Sequence, residues 1–180
     1  RTKPTNDQRT RMRPDTWHRF EEVFMKLLVT GGAGFIGSNF VRRALAGDLP
    51  GLPEPAITVL DALTYSGTLT NLTNVQTHPK FTFVQGSILD EKLLAELVPG
   101  HDAIVHFAAE SHVDRSVKDA GVFVETNVGG TQRLLDAALR AGSPRFVHVS
   151  TDEVYGSIEH GQWDEDEPLL PNSPYAASKA

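Results

Sequence analysis

Short apolar runs recur along the chain at Leu27–Val29, Ile57–Leu60, Ala103–Phe107 and Arg145–Val149. Phe81–Gln85 (FTFVQ) alternates instead. Runs of this length between Gly, Pro and polar clusters are strands, and the continuous ones are strands buried on both faces. Between them the apolar period changes to that of a helix. Ile36, Phe40, Val41 and Leu45 lie on one side of a helix over Phe35–Ala46. Leu93, Leu94 and Leu97 do the same in a helix capped by Asp90, running to about Val98 and ended by Pro99-Gly100. Helical patterns then lead to Ala141, with a break expected near Gly121, and Gly142-Ser143-Pro144 closes them. A last helix is expected from Pro174, with Asn172 or Ser173 as its N-cap. Strands alternating with helices predict an α/β fold. Its core is a doubly wound parallel sheet covered on both faces.

The first strand leads into the most specific stretch, Lys26–Gly37 (KLLVTGGAGFIG). Strand, glycine turn and helix follow one another directly, and Gly31, Gly34 and Gly37 keep the spacing GxxGxxG. Gly31 is expected to permit the tight turn, Gly34 to let backbone N–H groups approach a pyrophosphate, and Gly37 to let the helix pack on the strand. The helix N-terminus would then face the phosphates. The second strand ends in Asp61, where a ribose-binding carboxylate is expected. The sheet is therefore expected to be a Rossmann-type domain that binds a dinucleotide.

The chain has 180 residues, 39% of them hydrophobic and 22% charged, which suits one globular domain. Its net charge of −6 gives a nucleic-acid partner no electrostatic support. Without cysteine, disulfides and thiolate chemistry are excluded. No apolar run approaches membrane-spanning length, so cytoplasm is the expected compartment. Residues 1–24 stand apart, with six Lys/Arg against four acids. They lack the apolar core of a secretory signal. They are expected to be a disordered extension ahead of a natural start at Met25, or else a basic arm. A helix that stops one turn after it begins, near Ala180, suggests that residues 25–180 are an incomplete domain. The last strands and a substrate domain would then be missing.

Tyr175 and Lys179 (YAASK) lie four apart, on one helix face. An ammonium beside a phenol favours phenolate and makes it a usable base. An exposed Tyr–Lys pair is the bland alternative, disfavoured by the fingerprint upstream. Ser150-Thr151-Asp152-Glu153 follows the fifth strand, where open α/β sheets bind ligands. Two adjacent carboxyl groups there suit acid/base work, one as donor and one as acceptor. The acidic run Asp164–Glu167 reads instead as a solvated loop. His106 and His148 read as hydrogen-bonded core histidines; His78, His101 and His160 read as loop residues. No spacing resembles a metal site.

TGGAGFIG at 30–37 and YAASK at 175–179 together resemble the extended short-chain dehydrogenase/reductase superfamily. Within it, HFAAESHVDRS at 106–116, TNVGGT at 126–131, VSTDEVYG at 149–156 and PNSPYAASKA at 171–180 resemble the dTDP-glucose 4,6-dehydratase family, over Met25 to Ala180. The resemblance implies an NAD-dependent carbon–oxygen lyase of deoxysugar biosynthesis, cytoplasmic and homodimeric. It implies that Gly31, Gly34, Phe35, Ile36 and Gly37 hold the pyrophosphate, and that Asp61, Ala62, Leu63 and Thr64 hold the adenosine ribose. Ser87 and Ile88 would lie at the adenine. Phe107, Ala108, Ala109, Glu110 and Thr126 would line the nicotinamide side, and Ser111 and Thr151 would touch the sugar. Tyr175 would take the 4-hydroxyl proton, Glu153 the C5 proton, and Asp152 would protonate the departing 6-hydroxyl. Lys179 would hold the nicotinamide ribose and tune Tyr175. One departure stands out: Gly86-Ser87-Ile88 occupies a place where the family usually has Gly-Asp-Ile. Somewhat weaker NAD binding is expected there, by about 1 kcal/mol at most. The chain by itself is expected to be inactive. The alternatives are another NAD-dependent nucleotide-sugar epimerase or decarboxylase, or a non-catalytic NAD-binding fragment.

Overall fold

All five expected strands form, in a computed structural model that describes residues 25–180; the expected extension over residues 1–24 lies outside the described residues. They are β1 (Lys26–Thr30), β2 (Ala56–Asp61), β3 (Phe81–Gln85), β4 (Ala103–His106) and β5 (Arg145–His148). They make one parallel sheet in the order β3-β2-β1-β4-β5. The chain thus winds outward from β1 to one edge, then crosses to β4 and winds to the other. The carboxyl ends of β1 and β4 flank the reversal, and a crevice opens there.

Alternating side chains feed two separate cores. Leu27 and Val29 of β1, Ile57 and Val59 of β2 and Val105 of β4 pack on Val41, Ala44 and Leu45 of α1 (Phe35–Leu45). Leu28, Leu60 and Ile104 face the other way, onto Leu94 of α2 (Glu91–Leu97) and Leu134, Ala137 and Ala138 of α5 (Thr131–Arg140). Asp90 caps α2 as expected, its carboxylate accepting from the N–H groups of Lys92 and Leu93. The doubly wound sheet is therefore real, with β1, β2 and β4 almost wholly buried.

Edge position corrects one expectation. His148, read as a core histidine, is exposed, because among the described residues β5 is the outermost strand and its outer positions lack cover. His106 on the central β4 is fully buried, as expected. Its Nδ1 lies 2.6 Å from Thr30 Oγ1 and its Nε2 2.9 Å from Thr131 Oγ1. Burial holds its pKa down at about 3, so the ring is neutral. His101 lies in its expected loop and bonds Thr58 Oγ1 through Nε2.

The helical stretch after β4 divides into α3 (Val113–Lys118), α4 (Ala120–Phe123), a π turn (Val124–Gly130) and α5. The break falls at Asp119, whose φ of −145° leaves helical space, and not at Gly121. The π turn has a local cause. Thr131 Oγ1 donates to the Asn127 carbonyl, putting a side chain into the backbone ladder. The final helix, α6 (Pro174–Lys179), starts as expected, with Ser173 Oγ accepting from Ala176 N at 3.0 Å. Among the described residues no helix is long and apolar enough to cross a membrane. No group of three or more His, Asp or Glu among them is placed to hold a metal.

Candidate active site

At the end of β1 the glycine turn bends back across the sheet. Gly31 has φ +69°, and a Cβ there would come 2.5 Å from the Ala108 backbone nitrogen. Only glycine fits both constraints. Gly37 lets α1 come close to the end of β1, where a Cβ on it would run into the Gly31 carbonyl. Gly34, the N-cap of α1, offers no side-chain cap, which leaves the first-turn N–H groups open.

Asp61 is buried at the end of β2, 8% exposed. Its Oδ2 accepts from Ala33 N and its Oδ1 from Leu63 N, both at 2.8 Å. The carboxylate thus ties the glycine turn to β2. Closing that tie puts Leu63 at φ +52°, an unfavourable region for a leucine.

A cleft of about 670 Å³ runs along the carboxyl ends of the strands. Gly31, Gly34, Phe35, Ile36, Gly37, Asp61, Ala62 and Thr64 line it. So do Ser87, Ile88, Phe107, Ala108, Ala109, Glu110, Ser111 and Thr126, together with Tyr175 and Lys179. Four expected site residues are absent from its wall: Leu63, Thr151, Asp152 and Glu153. The last three stand just beyond Val149 and Ser150, which do line it. Asp152 and Glu153 sit on a 3₁₀ turn, Asp152–Tyr155, whose N-cap is the Thr151 hydroxyl.

Tyr175 and Lys179 both lie on α6 and line the cleft. The Lys179 ammonium donates to the Val149 carbonyl at 2.9 Å and lies 3.4 Å from His148 Nε2. It is not among the groups that set the Tyr175 phenol's ionisation. Burial raises the Tyr175 pKa above 10.0, a hydrogen bond with the Thr151 side chain lowers it, and the charges of Glu153 and Asp152 raise it further. Desolvation pulls Lys179 itself down to about 8.

Several structural contributors carried no sequence signal. Asn127, buried in the π turn, accepts from Glu110 N at 2.8 Å and donates to Glu110 O at 3.0 Å and to Ser178 Oγ at 2.8 Å. It clamps the loop after β4 to α6. Ser150 Oγ donates to the Lys179 carbonyl at 2.8 Å, fixing the other end of that helix. Tyr65 donates to Glu110 Oε2 at 3.0 Å beneath the Arg115 guanidinium, 3.9 Å from its ring centre. These links join residues far apart in sequence, which periodicity does not show.

The sheet order and the cleft at its reversal define a protein of the Rossmann fold class, with a Tyr–Lys helix closing the site. The chain belongs to the GDP-mannose 4,6 dehydratase family, whose family model matches residues 28–180. It is 60% identical over 156 residues to a dTDP-glucose 4,6-dehydratase of Streptomyces niveus, covering 87% of this chain and 46% of that protein. The solved structure of DesIV, a dTDP-glucose 4,6-dehydratase from Streptomyces venezuelae with NAD bound, superposes with a TM-score of 0.84 at 63% identity. That match covers 86% of this chain and 48% of DesIV. A UDP-Glc/GlcNAc 4-epimerase of Campylobacter jejuni superposes at 0.77 and 31% identity, covering 86% and 46%. The chain spans about half the length of the curated relatives it matches.

Proposed function

We propose that the chain serves an NAD-dependent dehydratase that converts dTDP-glucose to dTDP-4-keto-6-deoxyglucose in deoxysugar biosynthesis. The observation that carries the reading is the Tyr175 phenol in the cleft wall, on whose ionisation Thr151, Glu153 and Asp152 all act. The same activity in relatives at about 60% identity supports it.

The residues present fit NAD. A Cβ at Gly31 would not be tolerated, the α1 N-terminus opens on the cleft, and Asp61 stands where a ribose would lie. A buried carboxylate there repels a 2′-phosphate and favours NAD over NADP. When bound, NAD would accept a hydride from the sugar's C4 and return it to C6. Gly31, Gly34, Phe35, Ile36 and Gly37 would hold the pyrophosphate, and Ala62, Leu63 and Thr64 would flank the ribose acid. Ser87 and Ile88 would bound the adenine; Phe107, Ala108, Ala109, Glu110 and Thr126 would bound the nicotinamide. Tyr175 removes the 4-hydroxyl proton, with Thr151 as the neighbour that favours its phenolate. Glu153 removes the C5 proton, made acidic by the 4-keto group, and Asp152 protonates the leaving 6-hydroxyl. Ser111 and Thr151 touch the sugar, and Lys179 holds the nicotinamide ribose.

The exposed apolar positions Val124, Val128, Leu135 and Leu139 form a stripe along the helical stretch 120–140. Its spacing supports a homodimer packed through that face. The cytoplasm, where nucleotide sugars are made, is the compartment this activity implies.

The epimerase superposition favours a second reading, a nucleotide-sugar 4-epimerase. The carboxyl pair argues against it, because epimerisation eliminates no water. One experiment separates them. Residues 25–180 are prepared alone and joined to the C-terminal half of DesIV, and each is given dTDP-glucose and NAD. The joined protein should yield a product lighter by one water in the mass spectrum; the shorter chain should bind NAD without turnover. An isomer of unchanged mass would instead establish the epimerase.

A further inference from the structure

Lys179 is 6% exposed, so its ammonium needs acceptors from the protein. It has two: the Val149 carbonyl at 2.9 Å and His148 Nε2 at 3.4 Å. The His148 ring has a backing of its own. It packs on the His106 ring, with centroids 5.2 Å apart, and His106 is pinned on both nitrogens by Thr30 and Thr131.

We propose that His148 is a positioning residue, a neutral imidazole whose Nε2 fixes the Lys179 ammonium at the end of β5. Two of the three ammonium N–H groups are then committed to the protein. The third remains for the cleft that Lys179 lines. Accepting at Nε2 places the His148 proton on Nδ1. The ring is open to solvent on one side but covered by His106 and Lys179 on the other; that partial desolvation and the Lys179 charge both push the His148 pKa below 6.5, which keeps it an acceptor at neutral pH. The groups facing His148 are Lys179 from α6 and His106 from β4, and no carboxylate is among the charges that act on it. Protonating His148 would thus replace an acceptor by a like charge.

The link to ribose binding rests on the function proposed above, but the positioning does not. The test is the ¹⁵N NMR titration of the Lys179 Nζ in the 180-residue chain, beside His148→Leu and His148→Gln, with NAD affinity measured calorimetrically on each. Losing the acceptor should lower the Lys179 midpoint in His148→Leu by about half a pH unit. His148→Gln, whose amide oxygen can accept, should restore it. On acidification the Lys179 resonance should move again as His148 titrates. NAD affinity should fall several-fold in His148→Leu and recover in His148→Gln. An unchanged Lys179 midpoint in His148→Leu, or equal falls in both variants, overturns the proposal. If His148→Leu does not fold, the wild-type chain still decides: a Lys179 resonance blind to the His148 titration overturns it. A shifted midpoint with unchanged NAD affinity upholds the positioning and sinks the ribose assignment instead.

Discussion

The Thr151 side chain, in the loop after β5, lowers the pKa of the Tyr175 phenol on α6. Of the influences on that phenol, this is the one that favours ionisation; burial and the charges of Glu153 and Asp152 oppose it. Thr151→Val should therefore raise the Tyr175 titration midpoint, and Glu153→Gln or Asp152→Asn should lower it. A ¹³C-tyrosine NMR titration reads both directions. Shifts of the same sign in Thr151→Val and Glu153→Gln would refute this account of the phenol.

His106 supplies a second pH effect. Its folded pKa is about 3 against 6.5 for the free side chain, because burial disfavours the cation. The depressed value means that the unfolded chain binds the proton more readily. The stability His106 contributes is complete above pH 6.5 and is lost as pH falls from 6.5 toward 3. The loss is roughly 3–5 kcal/mol. Urea unfolding midpoints across that window should fall steeply in the native chain and less steeply in His106→Gln. Parallel slopes would mean that some other group carries the acid sensitivity.

Features set by neighbours in sequence were legible. The strands, the Asp90 cap, Ser173 as one of two cap candidates and the acid at position 61 all follow from local patterns. Features set by long-range partners were not. The i, i+4 spacing of Tyr175 and Lys179 gives a shared helix face, but the acceptors of the Lys179 ammonium, His148 at the end of β5 and Val149 just after it, lie some thirty residues away in sequence. His148 has apolar flanks as His106 does; the sheet order of the described residues puts one on the outermost strand and the other nearer the centre. Asn127 was invisible because its partners, Glu110 and Ser178, come from two other elements.

Asp61 does more than the sequence suggests, since it holds two backbone N–H groups besides facing the cleft. Asp61→Ala should lower stability by about 2–4 kcal/mol, the loss of two charge-assisted bonds. It should also weaken NAD binding and narrow the preference over NADP, because the repulsion of a 2′-phosphate is gone. Chemical unfolding and paired titrations with NAD and NADP check both parts. An unchanged preference in a folded variant would move the ribose acid elsewhere.

Ser87 lines the cleft, and its Oγ already accepts from Leu89 N at 3.1 Å. One lone pair is thus used locally, leaving a neutral, partly committed group toward the cleft. Ser87→Asp adds a charged acceptor at the same place. It should tighten NAD binding by up to about 1 kcal/mol, or roughly fivefold. Calorimetric titration decides, and equal affinity would show that position 87 does not meet the base.

Asp152 and Glu153 stand beyond the cleft wall, on the turn capped by Thr151. Neither substitution, Asp152→Asn or Glu153→Gln, should therefore change NAD affinity by more than about twofold. Both remove a negative charge that opposes the Tyr175 phenolate, so removal of the 4-hydroxyl proton should be no harder. Elimination is another matter: an amide can neither take the C5 proton nor deliver one to the 6-hydroxyl. Loss of a general acid or base costs about 10²- to 10⁴-fold. In the joined protein with dTDP-glucose, both variants should lose at least about a hundredfold in kcat. The two then differ in solvent deuterium. Asp152→Asn keeps the base, so unreacted substrate should gain deuterium at C5; Glu153→Gln should leave C5 unlabelled. Deuterium at C5 in the Glu153→Gln variant would show that another group removes that proton. Near-normal turnover in either variant would remove the pair from the chemistry.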